Sequence, residues 1–177
     1  MKNKKTYNDF LQILSVWENE LDKYNLEQLL QKENNEIWSL GQLYNHLIEG
    51  TLNYHIPQIK ECVSSGKNTS KKKNFKGFMV FNLLHAFPPI KIKVPPSDFY
   101  TPKQPKDVQS LKKGFDNLKQ EMKTVLELLK NDKKGKTAHP GFSYLNAQEW
   151  FQLIPMHFKH HIKQKKYLDL LLNKNAK

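Results

Sequence analysis

Residues 150–172 read WFQLIPMHFKHHIKQKKYLDLLL. At about 3.6 residues per turn, this stretch lays Trp150, Leu153, Ile154, Leu168, Leu171 and Leu172 along one apolar stripe. Such a stripe belongs to a long helix that lies against other helices. Its centre, however, is polar: His157, His161 and Gln164 fall within roughly 60° of the middle. Imidazoles four residues apart on one helical face project toward a common point, where their nitrogens can share one metal ion. Polar groups facing a core need partners, so the fold is sought in what packs around this helix.

Immediately upstream, Asn146 and Glu149 make an N-x-x-E capping pair, so the helix starts there and runs to about Asn173. Pro155 sits in its early interior, two residues before His157, and removes one backbone donor. The preceding KNDKKGKTAHPGFSYL reads as a loop. Before it, Val108, Leu111, Phe115, Leu118, Met122, Val125, Leu126 and Leu129 keep helical period over 107–131. Ser39 and Gln42 form a capping box for another helix, LGQLYNHLIEGTLNYHIPQIKECV, which Pro57 bends or ends. A first helix begins near Thr6 and fades around Lys32. Between the second and third helices lie a lysine-rich polar connection (64–74) and an apolar segment, FKGFMVFNLLHAF, that suits a short covering helix. PPIKIKVPPSDFYTPKQP follows with six prolines, which favour extended chain. With no βαβ alternation, the expected architecture is all-α: a single four-helix bundle domain over 1–177, with a long Pro-rich crossover between helices two and three.

Composition narrows the function classes. The 177 residues carry a net charge of +12, yet all 29 basic residues are lysine. Base readout and bidentate phosphate recognition favour the planar fork of arginine, so its absence argues against sequence-specific nucleic-acid binding. No apolar run approaches the ~20 residues needed to cross a bilayer. The start MKNKKTYNDF lacks the apolar core of a signal peptide, and the lone Cys62 leaves no internal disulfide. A cytoplasmic protein without a membrane segment is expected, with a buried, structural Cys62.

Seven histidines remain to be sorted. His157 and His161 are either metal ligands or a hydrogen-bonded core pair. Lys159 and His160 stand where HExxH would need its glutamate, so the zincin arrangement is excluded. His46, early in helix two, supplies a third ligand if the two helices are neighbours. Three histidines leave further coordination positions open, the style of a catalytic site, able to lower the pKa of bound water or thiol. Gln42, Glu49 and Gln164 are supporting or acid–base candidates; a plain solvated carboxylate is the competing reading of Glu49. His139 either reaches over the site as acid–base or gate, or fixes its loop with Phe142 packed beneath. His160 reads as a neighbour rather than a ligand. His55 and His85 read as ordinary packing.

WSLGQLYNHLIEG and HFKHHIKQKKYLD together resemble the DinB-like superfamily, whose pattern places a histidine in helix two and HxxxH or HxxHH in helix four. His46, His157 and His161 match those positions, and Gln164 falls where the family often carries glutamine. HPGFSYLNAQEW resembles the HPxFGxLTxxEW element of one branch, with Ser143 for glycine and Asn146 for threonine. The resemblance implies a divalent metal of the nickel, zinc or iron class held by the three histidines. It also implies chemistry on small molecules: relatives include transferases and isomerases acting on low-molecular-weight thiols such as mycothiol and bacillithiol, and others are called metal-dependent hydrolases. The expected function is therefore a metal-dependent enzyme, a thiol transferase or a hydrolase. The alternative is a non-catalytic metal-binding or stress-response protein of the same fold. An exposed bundle face leaves room for a homodimer.

Overall fold

The computed structural model describes residues 2–87 and 101–175. Helix α1 spans Lys2–Leu21 and buries Phe10, Ile13, Leu14, Trp17 and Leu21. It starts four residues earlier than the sequence suggests, because Thr6 does not cap it. Instead Thr6 is buried, and its hydroxyl donates to the Lys2 carbonyl at 3.3 Å. The helix also stops short of Lys32. Asn25 accepts from the Gln28 amide and starts a separate helix α2, Leu26–Leu30, through a capping box. Tyr24 and Leu26 stay near enough in phase to hide that break in the sequence, but a capping asparagine competes with continued helix.

Ser39 and Gln42 form the expected capping box at the head of α3, Leu40–Gly50. The rod continues without a gap through a π-helical segment, Thr51–His55, into α4, Ile56–Ser65. Pro57 lies in the first turn of α4, after the wide turn. Short helix α5, Phe75–Phe78, leads into a second π-helical segment, Met79–Leu84. Helix α6, Val108–Leu128, is capped by Asp107, and a 3-10 turn extends it to Asn131. Most of the Pro-rich crossover, 88–100, lies outside the described residues.

The expected loop before the last helix is instead a β-hairpin. Strands β1, Lys136–His139, and β2, Ser143–Asn146, pair antiparallel from Lys136↔Asn146 to His139↔Ser143. Four-residue strands are too short to display alternation in sequence. Helix α7, Ala147–Asn175, then begins as expected: Asn146 Oδ1 accepts from the Glu149 amide and Glu149 Oε2 accepts from the Asn146 amide, both at 2.9 Å.

The fold is all-α apart from this hairpin. Helix α1 packs against α6 and α7, and the α3–α4 rod packs against the same two. Trp17, Tyr44, Phe115, Trp150, Phe151 and Phe158 fill the interior. Tyr44 Oη donates to the Trp17 carbonyl at 3.2 Å, and Trp17 Nε1 donates to the Phe158 carbonyl at 3.3 Å. These buried polar atoms thus find partners across three rods.

The end of the crossover is fastened to α3. Gln42 Nε2 donates to the Pro102 carbonyl at 2.7 Å, Asn45 Nδ2 to the Lys103 carbonyl at 2.9 Å, and Ser39 Oγ to Gln104 Oε1 at 2.7 Å. Gly41 makes the fit possible, since a Cβ there would stand 2.6 Å from Pro105 Cδ and 2.8 Å from the Leu29 carbonyl oxygen. Gly41→Ala is therefore expected to cost about 1–3 kcal/mol, as overpacking does, in urea unfolding. A neutral result would show that the strap can shift freely.

Candidate metal centre

His46 sits on the second turn of α3, His157 and His161 on adjacent turns of α7. The three rings meet edge to face, with centroids 4.7–4.9 Å apart. His157 Nε2 lies 3.1 Å from His46 Nε2 and 3.0 Å from His161 Nε2. One nitrogen from each residue lies within 4.8 Å of the other two, and all three side chains are only half-buried. The trio is thus dense yet reachable. Trp38 walls it beside His46, with centroids 5.0 Å apart.

Electrostatics keep these rings neutral. Burial pulls His46 down to about 4 and His161 to about 3. His157 is held well below the ordinary histidine range, first by burial and then by its histidine neighbours. Neutral imidazole is the form that coordinates a cation. His161 Nδ1 meets Gln164 Oε1 at 2.8 Å. An amide oxygen only accepts, so the ring proton is at Nδ1 and the Nε2 lone pair faces the other two histidines.

The donor set fits a divalent ion. Ligands bound at about 2.1 Å and meeting near a right angle stand roughly 3 Å apart, which is the spacing of His157 from each of the other two. Left to themselves, three converging neutral imidazoles crowd lone pairs together with at most one proton per contact. Three histidines can therefore hold one ion and leave coordination positions for another molecule.

The remaining candidates take distinct places. Gln164 orients His161, as its position suggested. Gln42 does not serve the site, because its side chain is engaged by the cap and the crossover. Glu49 is exposed on α3, one turn beyond His46. His139 stacks on Phe142, with centroids 4.5 Å apart, and its ring lies 5.1 Å from that of Trp150. The Gly141 amide donates to His139 Nδ1 at 3.0 Å. Burial pulls His139 down to about 4, so the ring is neutral and carries its proton on Nε2. His160 is half-buried at the edge, its ring 5.3 Å from His161 and 5.4 Å from Phe87. Cys62 is buried and free, with its sulfur 3.4 Å from Thr137 Oγ1.

Of the two histidines read in the sequence as ordinary packing, one departs from it and the other packs beside the trio. His85 is exposed, in the left-handed region at φ 48°. His55 is buried against His157, with ring centroids 5.3 Å apart. Straight helical periodicity hides this contact. Nine residues of α-helix turn through about 900°, which would set His55 opposite His46. A π turn holds an extra residue and takes about 100° off that angle. Pro57, two residues on, is the only local hint that the helix is perturbed there.

Among the described residues, no helix is long and apolar enough to cross a membrane. A search of curated proteins finds no match. The family model of the DinB superfamily matches residues 9–164. With the three-histidine geometry and that match across most of its length, the chain belongs to the DinB superfamily.

Proposed function

We propose that the chain is a metal-dependent enzyme whose ion is held by His46, His157 and His161, and that it transfers a low-molecular-weight thiol to an electrophilic substrate. The convergence of three neutral imidazoles on a half-buried point carries this reading. A divalent ion of the zinc, nickel or iron class bound there supplies Lewis acidity, which draws the pKa of a bound thiol or water toward neutrality.

The residues of this chain do the rest. Neutral ligands leave the full charge of a cation uncompensated, which favours an anionic group such as a thiolate. The net charge of +12 draws acidic small molecules toward the surface. Gln164 fixes the His161 ring. His139 presents Nε2–H from the hairpin and acts as a hydrogen-bond donor to the leaving group. Glu49 stands ready to take the proton of an incoming thiol at the exposed side of α3. A thiol starts near pKa 8.5 and water near 15.7, so the thiol asks much less of a site without a carboxylate in its ligand set. Hydrolysis is the second reaction that such a site supports.

Element analysis of untagged protein, with His157→Ala alongside, tests the metal. About one equivalent is expected in the wild type and none in the variant; metal-free wild type at neutral pH sinks the enzymatic reading. A panel of thiols offered with electrophilic substrates then distinguishes the reactions. Conjugate formed only by the loaded wild type supports transfer, whereas hydrolysed substrate without conjugate supports the hydrolase. Stoichiometric metal without turnover leaves the non-catalytic alternative.

A further inference from the structure

Among the described residues, four buried side-chain polar atoms have no hydrogen-bond partner: Thr51 Oγ1, His55 Nδ1, Trp150 Nε1 and His157 Nδ1. They are not scattered. Thr51 and His55 are one turn apart on the π-helical segment, and Trp150 and His157 are on the α7 face it packs against. The His55 ring lies 5.3 Å from that of His157 and 6.0 Å from that of Trp150. Thr51 and Trp150 are fully buried and His55 is 7% exposed. Each buried polar atom left unpaired costs about 1–3 kcal/mol, so four in one place mark a polar site.

The protons identify what fills it. If His157 Nε2 faces a metal, its ring proton is at Nδ1, a buried donor. Trp150 Nε1 is likewise only a donor. Thr51 Oγ1 accepts, and the second nitrogen pair, at His55, accepts at Nδ1 when its own proton is on Nε2. Two donors and two acceptors suit water, which takes two hydrogen bonds and gives two. Histidine ligands commonly pass their second N–H to a carboxylate, a carbonyl or a water, which fixes the tautomer and aims the ring. Here His161 uses Gln164, and His157 lacks a direct partner among the described residues.

We propose that His55 is a positioning residue for His157, acting through a buried solvent bridge that takes the His157 Nδ1 proton and is completed by Thr51 and Trp150. The π-helical segment has a role in this scheme: its extra residue turns His55, at its end, toward the histidine trio. The inference rests on the metal reading of that trio, and the test separates the two.

The variants are His55→Phe, which keeps a ring but removes both nitrogens, His55→Asn, whose amide stands near Nδ1, and His55→Gln, whose amide reaches toward Nε2. Zinc affinity is measured by competition with a chromophoric chelator, and the visible spectrum of the cobalt-loaded protein reports ligand geometry. Expected are a 10–100-fold loss of zinc affinity and an altered cobalt spectrum in His55→Phe. His55→Asn is expected to recover most of the affinity, and His55→Gln to stay weak. Affinity and spectrum unchanged in His55→Phe would overturn the proposal; equal weakness of all three variants would too, because it reports packing alone. Should His55→Phe fail to fold, Thr51→Val interrogates the same bridge, with a smaller loss expected. If the wild type binds no zinc, the three-histidine reading fails. A crystal structure of the wild type then decides the bridge: an ordered water within hydrogen-bond distance of His157 Nδ1 and His55 Nδ1 supports it, and a dry contact overturns it.

Discussion

Zinc at one hundred times its dissociation constant is expected to raise the melting temperature of the wild type by roughly 5–10 °C, and to leave His161→Ala unmoved. A ligand that binds only the folded state at that excess stabilises it by about 2.7 kcal/mol. For a chain of this length each kcal/mol is worth roughly 2–4 °C. The gain depends on three nitrogens fixed on two rods before the ion arrives, so losing one ligand removes the pocket rather than trimming it. Gln164→Ala provides the intermediate case. If losing the amide that orients His161 weakens binding about 10-fold, the same zinc concentration yields about half the stabilisation. Differential scanning fluorimetry at fixed zinc ranks the three proteins. Equal shifts in wild type and His161→Ala would place the ion elsewhere.

A second large effect is expected one turn further along the same helix. Lys165 on α7 is buried, its side chain 4% exposed, and its ammonium donates to Glu20 at 2.7 Å, to Tyr24 Oη at 2.7 Å and to Asp169 at 2.8 Å. Tyr24 Oη donates in turn to Asp169 at 2.6 Å. Burial opposes the Lys165 charge, but the hydrogen bonds to Asp169, Glu20 and Tyr24 outweigh it and hold the group above the ordinary lysine range. Replacing Glu20 and Asp169 together by alanine strands that charge in the interior and is expected to cost about 3–5 kcal/mol in urea unfolding. Adding Lys165→Met to the pair should return most of the loss, since an apolar side chain of similar length needs no partner. Failure of that rescue would show that the network acts through packing rather than charge.

The pH dependence has a definite sign. The hydrogen bond from Lys165, followed by that from Lys23, lowers the Glu20 carboxyl below its usual value. Its contribution is therefore present above the ordinary carboxylate range and is lost as pH falls through the folded-state value. Lys165, being raised, contributes fully below the ordinary lysine range and loses that contribution only as pH climbs above it. Chemical denaturation at several pH values should show a plateau through neutrality that Lys165→Met flattens at both ends.

Much of this architecture is readable because caps and periodicity act locally. Ser39 with Gln42 and Asn146 with Glu149 each start a helix by satisfying backbone amides a few residues away. The i,i+4 pair His157 and His161 declares its face through the apolar residues around it, and His46 is legible through the family pattern. What stayed hidden depends on competition or on distance. Asn25 breaks a pattern that Tyr24 and Leu26 continue. The hairpin is made of strands too short to alternate visibly. His55 reaches His157 only because the helix widens between Thr51 and His55, a change of register that no 3.6-residue template contains. Gln42 illustrates the opposite error: its face is right, but a cap and a carbonyl 60 residues away use the side chain first.

The hydrogen bonds from Tyr44 to Trp17 and from Trp17 to Phe158 join three rods at the residue after His157. They tie the trio to the core on three sides, so its backbone amides are expected to be among the slowest in hydrogen–deuterium exchange. An ion bound at the trio would then leave by ligand nitrogens letting go one at a time, not by a helix peeling away. Its residence time in the native protein would accordingly be set by coordination chemistry rather than by the motions of the fold.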